Sequence, residues 1–463
     1  MNPANADPRH TLLHAPMSVL QIIAVVITIG LNALDGFDVL SIAFASPGIA
    51  AEWHPSNTAL GWLNSMELAG MAIGSILLGG VADKIGRRGT ILGCLLVMTA
   101  GMFLATTANG ITQLSVYRVV TGLGIGGTLA AINAVAAEFS NARTRNLSVS
   151  IMSIGYPAGA VIGGTIVTHL LKGHDWRAVF YLGCAFTAVF IPLVYLFVPE
   201  SVHWLARKQP TGALEKINRT LRRMGHKAVE TLPPIAPEVR QRSTRDIFGP
   251  ALIATTLIVT AAYFFHVMSF YFVAKWAPKI VVNLGFTQSQ GGAVLTVGNI
   301  GGMLGGAVLG LLTLRYNVKR LTIIVMLLGA VAVSLFGRSP PQLSQLYWFT
   351  ALALFCTNAG IVGMYAIFAQ VYPTHLRSSG TGFAIGVGRG GSVLGPPLAG
   401  WLMDQHYGRP AVAMVLALGT LIAAGVLALL KLRPDDAAAE HADESATAAT
   451  AHAGGLHGTQ TAT

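Results

Sequence analysis

A chain of 463 residues that is 53% hydrophobic and only 11% charged, with a mean hydropathy of +0.60, is too apolar for a water-soluble domain of that size and predicts a polytopic membrane protein. The formal charge of +11 invites a nucleic-acid reading, which the placement of the charge removes. Most of the 30 lysines and arginines fall in alternate gaps between apolar runs, on the side that would carry both termini, as the positive-inside bias requires.

Taken in chain order, residues 1–17 are polar and read as a short cytoplasmic segment. The apolar run after them is too long for a cleavable signal, so an uncleaved helix should follow. Spans of about 20 apolar residues are predicted at 19–46, 58–82, 89–108, 111–137, 147–171 and 177–198, then at 250–275, 290–314, 321–338, 343–369, 379–402 and 410–431. The fold class expected is all-α, with twelve transmembrane helices in two six-helix bundles, 18–198 and 250–431. Between them, 199–249 reads as a cytoplasmic linker. In it Leu214, Ile217, Leu221 and Met224 recur at helical spacing among basic residues, with Gly225 closing the run, which predicts an amphipathic helix that is solvated or touches lipid. The tail, 432–463, is rich in Ala, Thr, His and Gly without periodicity and is expected to be disordered. Cys94, Cys184 and Cys356 sit in separate spans and imply neither a disulfide nor a metal site.

The halves repeat at one offset. ELAGMAIGS (67–75) aligns with NIGGMLGGA (299–307), RRGTI (87–91) with KRLTI (319–323), and Arg145 with Arg377. Parallel repeats of this kind build transporters whose binding site lies at mid-membrane between the halves.

Charged residues inside spans are costly, about 2.5–3.5 kcal/mol each at the bilayer centre, so each one calls for a reason. LNALDGFDVLS (31–41) places Asp35 and Asp38 three residues apart on one helix face, with Gly36 leaving room beside them. Two neighbouring carboxylates out of water suit a proton-exchanging unit. Arg118 and Arg389 are the cations deep within spans. Each offers a planar fork, either to a substrate carboxylate or to a protein acid such as Asp35. Glu67 has Asn299 as its repeat mate, which favours a paired structural or gating role. Lys275, at the predicted end of span seven, reads as an interfacial side chain.

Four motifs give the chain a family resemblance: GGVADKIGRRGT (79–90), RVVTGLGIGG (118–127), PESVHWL (199–205) and YPTHLRSSGTG (372–382). Together they resemble the major facilitator superfamily over essentially residues 18 to 431. Within it, DGFD (35–38) and GVGRGGSVLGP (386–396) are similar to the aromatic acid:proton symporters. The resemblance implies a proton-coupled importer of a small, hydroxybenzoate-like aromatic carboxylate in a bacterial inner membrane, multi-pass, with both termini cytoplasmic. Protons are the coupling ion, and no other cofactor, metal or nucleic acid is expected. A monomer in the lipid bilayer is the simplest state.

Asp83, Arg87, Arg88, Glu138, Arg145 and Arg377 resemble the charge cluster that latches the halves. Spans one, four, seven and ten line the cavity in proteins of this resemblance, so Tyr263, His266, Asn358 and Tyr365 join Glu67 and Asn299 as cavity candidates. The sequence also departs from the family pattern: Arg315 stands in the register of Asp83, and Gln370 replaces an acid. Three other readings compete: a symporter of a non-aromatic organic acid, an exporter, and a membrane-embedded nutrient sensor. GYPAGAVIGG (155–164) keeps the glycines of an antiporter-type fifth-helix motif but has Ala160 where proline is expected. No nucleotide loop, metal-spaced His/Glu helix or nucleophile elbow supports an enzyme.

Overall fold

The computed structural model describes residues 7–233, 247–250, 252–373 and 376–430. The predicted disordered tail and residues 234–246 of the predicted linker lie outside them. The chain is helical from Pro8–His14 (α1) onward. The first bundle comprises α2 (Val19–Trp53), α3 (Asn57–Ile85), α4 (Arg87–Thr106), α5 (Ile111–Glu138), α6 (Arg145–Leu170) and α7 (Arg177–Phe197). Short helices α8 (Val202–Lys208) and α9 (Ala213–Arg223) follow. The second bundle comprises α10 (Ile253–Asn283), α11 (Gln288–Leu312), α12 (Val318–Arg338), α13 (Leu343–Val371), α14 (Arg377–Gly388), α15 (Gly390–Asp404) and α16 (Arg409–Ala428). Among the described residues, eleven helices are long and apolar enough to cross a membrane.

The expected span 379–402 is the exception, because it is two consecutive helices interrupted at Arg389. The local sequence GVGRGG explains the interruption, since glycine is a poor helix former and Gly388, Gly390 and Gly391 each have a neighbour pressed against them. A Cβ on Gly388 would overlap the Tyr263 ring, and one on Gly391 would overlap the Phe264 carbonyl oxygen. Discontinuous helices of this kind line binding sites in transporters. The first span also runs further than hydropathy suggested, through Pro47 to Trp53. Its end is tied down there, where Glu52 accepts hydrogen bonds from Trp176 Nε1 (2.7 Å) and from both terminal nitrogens of Arg177 (2.8 and 2.7 Å).

Short loops make successive spans antiparallel, so the molecule has a terminal face, carrying α1, α8 and α9, and an opposite far face. Small residues set the helix spacing within the first bundle. The room beside Gly36 is taken by the backbone of α6, because a Cβ there would overlap the Tyr156 carbonyl oxygen. Gly159 packs in the same way on Ala33. The glycines of GYPAGAVIGG thus seat α6 on α2. On the terminal face, α9 turns Ile217 and Leu221 (both 0% exposed) into a core cluster shared with Val202, Leu205 and Leu12 of α1. Its apolar side is docked on protein, where sequence pattern alone had suggested water or lipid. His203 lies in this layer; burial, with Arg9 and Arg145 nearby, pushes its imidazole down to about 4.

The bundles meet from mid-helix to the far face. The contacts are α3 with α15, α6 with α11, and α2 with α10 and α11. Toward the terminal face, α14 packs chiefly on α10 and α13 of its own bundle.

Candidate functional site

Asp35 and Asp38 lie at the middle of α2, both 0% exposed. None of their four carboxylate oxygens has a hydrogen-bond or ion-pair partner among the described residues. Buried polar atoms are almost always satisfied, so two bare carboxylates in one helix form a high-energy feature that function has to explain. A Cβ on Gly183 would stand 3.3 Å from Asp38 Oδ1, which aims Asp38 into the first bundle at α7. Each aspartate stands near other acids, Asp35 near Asp38 and Glu67 and Asp38 near Glu67, with Arg389 of the other bundle the cation nearest in effect to Asp35 and Arg118 that nearest to Asp38.

Arg118 itself is committed elsewhere. It forms an ion pair with Glu67, both side chains 0% exposed, and donates to the Asp38 carbonyl (2.9 Å) and Ser41 Oγ (3.0 Å). The Phe180 ring lies 5.2 Å from its guanidinium carbon. Of the two roles open to Arg118, the structure gives it a protein acid as partner, and that acid is Glu67 instead of Asp35. Removing one member of a buried pair leaves the other charge stranded, at a cost of about 3–5 kcal/mol. Glu67→Gln should therefore lower thermal stability in detergent strongly, while Glu67→Asp should be milder. Equal melting temperatures for wild type and Glu67→Gln would mean the pair is solvated and structurally idle.

In the second bundle the geometry converges on Arg389. It is half-buried at the break between α14 and α15 and has no ion pair among the described residues. Tyr263 packs against Gly388 beside it, and Tyr365, Tyr271 and Tyr156 lie in the same neighbourhood. The Tyr263 and Tyr365 hydroxyls are 3.1 Å apart, with ring centroids at 5.9 Å, and Tyr156 of the first bundle and Tyr271 of the second pack against one apolar cluster. Tyr365 remains 44% exposed, so the cluster has an open side.

Several predicted cavity residues are placed otherwise. His266 is 0% exposed, and both its ring nitrogens are engaged, Nδ1 with Thr420 Oγ1 and Nε2 with the Thr357 carbonyl at 2.7 Å. Gly360 leaves the space the ring fills. It clamps α10, α13 and α16 together instead of facing a cavity. Asn358 donates to the Gly302 carbonyl on α11 (2.7 Å), and Asn299 to Leu295 on its own helix (2.9 Å); Asn299 does not repeat the Glu67 pairing. Lys275 is a clear correction: it is 0% exposed, and its Nζ donates to the Val39 carbonyl of α2. The helix continues beyond it to Asn283, which buries a side chain that hydropathy had put at the interface.

The charge cluster of the terminal face holds together within the first bundle and α8. Asp83 pairs with Arg87 (2.9 Å) and Arg207 (3.3 Å), Arg87 approaches Glu138 (3.8 Å), and Glu138 accepts from Ser201 Oγ. Glu200, which sequence reasoning passed over, accepts from the first amides of α4, Arg87 N at 2.7 Å and Arg88 N at 3.3 Å. Arg88 donates to the Tyr195 carbonyl (2.5 Å). Arg145 lies beside His203, and Arg377 begins α14.

A pair of helical bundles with bare carboxylates in one half and, in the other, an arginine at a helix break without an ion pair among the described residues has the architecture of a membrane transporter. The Major Facilitator Superfamily model matches residues 27–276 and 259–457, and the chain belongs to that superfamily of transporters. Among curated proteins it is 27% identical over 428 residues to the gallate transporter of Pseudomonas putida, covering 91% of this chain and 94% of that one. It is 28% identical over 408 residues to the benzoate transport protein of Acinetobacter baylyi, covering 83% and 85%. Among solved structures, the inward open xylose transporter XylE from E. coli superposes with a TM-score of 0.66 at 18% identity, covering 90% of this chain and 96% of that one.

Proposed function

We propose that the protein is a proton-coupled importer of a small aromatic carboxylate, hydroxybenzoate-like, and that Arg389 with the tyrosines beside it receives the substrate. The carrying observation is an arginine at a helix break, without an ion pair among the described residues, with Tyr263 packed against Gly388 beside it and the Tyr365 hydroxyl 3.1 Å from that of Tyr263. A guanidinium fork matches a carboxylate bidentately, tyrosine faces stack on an aromatic ring, and their hydroxyls fix its orientation. The gallate and benzoate transporters among its relatives support the same substrate class.

Asp35 and Asp38 are the proposed proton carriers. An unpaired carboxylate out of water is expensive as an ion, and taking up a proton relieves that cost. On the positive-inside reading both termini are cytoplasmic and the membrane is the bacterial inner membrane. The terminal face is then the cytoplasmic one, and the state described is inward-facing. The fifth-helix glycines give no support to export, since Gly155, Gly159 and Gly163 seat α6 on α2 and Gly164 lies between Phe44 of α2 and Thr296 of α11.

Equilibrium binding to the purified protein, competed by a panel of benzoates and alicyclic acids, tests the substrate class. Hydroxybenzoates should compete about tenfold more effectively than cyclohexanecarboxylate of similar size, since ring stacking contributes about 0.5–1.5 kcal/mol per aromatic partner. Equal competition by the alicyclic acid would remove the aromatic assignment and leave a general organic-anion carrier.

A further inference from the structure

Asp404 is the last residue of α15, a position where a carboxylate opposes the negative end of its own helix dipole. Its hydrogen bonds explain why it is there. Oδ1 accepts from Asn57 N and Asn57 Nδ2, both at 2.9 Å, and Oδ2 accepts from Thr58 N at 2.8 Å and Thr58 Oγ1 at 2.6 Å. Asn57 and Thr58 are the first two residues of α3, in the other bundle. The remaining donors of that turn are already served from within, Ala59 N by Ser56 Oγ (3.2 Å) and Leu60 N by the Ser56 carbonyl (3.0 Å). Asp404 thus completes the cap of a helix to which it does not belong. Carboxylates at helix N-termini are favoured by both the free amides and the dipole.

The internal repeat supplies a comparison. At the offset that aligns Glu67 with Asn299, Asn57 aligns with Ser289 and Gly400 with Thr168. Ser289 Oγ donates to the Thr168 carbonyl at 2.8 Å, joining α11 to α6, while a Cβ on Gly400 would overlap the Asn57 carbonyl oxygen. The two sides of the far face therefore close through equivalent positions. One side has a single neutral bond; the other has four bonds to a carboxylate. The residue aligned with Asp404 is Lys172, an exposed cation that cannot cap a helix N-terminus.

We propose that Asp404 is the positioning residue that holds the far face shut, an inter-bundle helix cap that must be released each time the transporter opens to that side. The cap forms only when α3 and α15 are in contact, so it stabilises the far-closed state and not its alternative.

A buried cysteine beneath the cap tests this without any substrate, so its outcome is independent of what the protein carries. Leu60→Cys, at a site 1% exposed, is introduced into the full-length protein in nanodiscs. Its reaction with a maleimide is then followed against the parent chain, whose own cysteines give the background. Asp404→Ala should raise the labelling rate about tenfold, the equivalent of one charge-assisted hydrogen bond out of four. Asp404→Glu should restore it toward the parent value, and Ser289→Ala should change it less than about twofold. Melting temperature is recorded for each protein; where Asp404→Ala does not fold, Asp404→Asn and Thr58→Val, each removing part of the set, should show smaller increases in the same direction. Unchanged labelling in a folded Asp404→Ala protein, or an equal increase from Ser289→Ala, would overturn the proposal.

Discussion

The double variant Asp35→Asn/Asp38→Asn should fold, bind substrate and yet lose accumulation against a gradient altogether. Asparagine is close in shape to aspartate, and the substitution removes two buried groups that have no partner among the described residues, so the folded state gives up no hydrogen bond or ion pair seen there. What disappears is the capacity to carry a proton across. Downhill exchange should survive, because alternating access needs only that each state be reachable. The single variants separate the two positions. Asp35 answers to Arg389 in the opposite bundle and Asp38 to Arg118 in its own. Asp35→Asn should therefore change the pH dependence of uptake and substrate affinity together, whereas Asp38→Asn should chiefly change the pH dependence. A double variant that still concentrates substrate with an unaltered pH profile would show the pair to be structural.

The second large effect is expected at Arg389. Charge-assisted hydrogen bonds contribute about 1.5–3 kcal/mol, so Arg389→Gln should weaken substrate binding roughly 10- to 100-fold. Arg389→Lys keeps the charge but not the fork, and should recover only part of the loss. Because Arg389 has no ion pair among the described residues, neither change should strand a buried acid, and melting temperatures should stay close to wild type. This contrasts with Arg118, whose loss would leave Glu67 buried and unpaired. Isothermal titration of the two Arg389 variants checks the prediction, and wild-type affinity in Arg389→Gln would move the binding site elsewhere.

Much of this architecture is written in the sequence in a form that local rules read well. Hydropathy and turn spacing place eleven spans to within a few residues, except where a rule about single residues intervened. The span predicted from hydropathy stops at residue 46, whereas the Glu52, Trp176 and Arg177 contacts carry α2 through Pro47 to Trp53. Lys275 ended the predicted span seven for a similar reason: a hydropathy window stops at the first charge, whereas the helix passes through it and gives the ammonium a carbonyl of α2. The interruption at Arg389 was foreshadowed by GVGRGG, although glycines alone do not distinguish a kink from close packing. Pairings were the least legible feature. Nothing in the spacing of Glu67 and Arg118 indicates that they meet, and the convergence of Tyr156 and Tyr271 is a product of how the two bundles close on each other. Tyr271 did carry a signal, lying two turns beyond Tyr263 on the same helix, and Lys275 follows it one turn later. Asp404 was hidden because an acid at the end of a span looks like an ordinary surface residue until the helix it caps is known.

Coupling of substrate to proton movement is the central claim, and a pH-sensitive dye sealed inside proteoliposomes reads it directly. When substrate is added outside, with no imposed gradient and protein-free vesicles correcting for permeation of the neutral acid, entry by symport should acidify the lumen. The Asp35→Asn/Asp38→Asn protein should admit substrate without acidification. Entry that leaves the lumen pH unchanged in the wild-type protein, or that makes it alkaline as exchange for an outgoing proton would, contradicts the account.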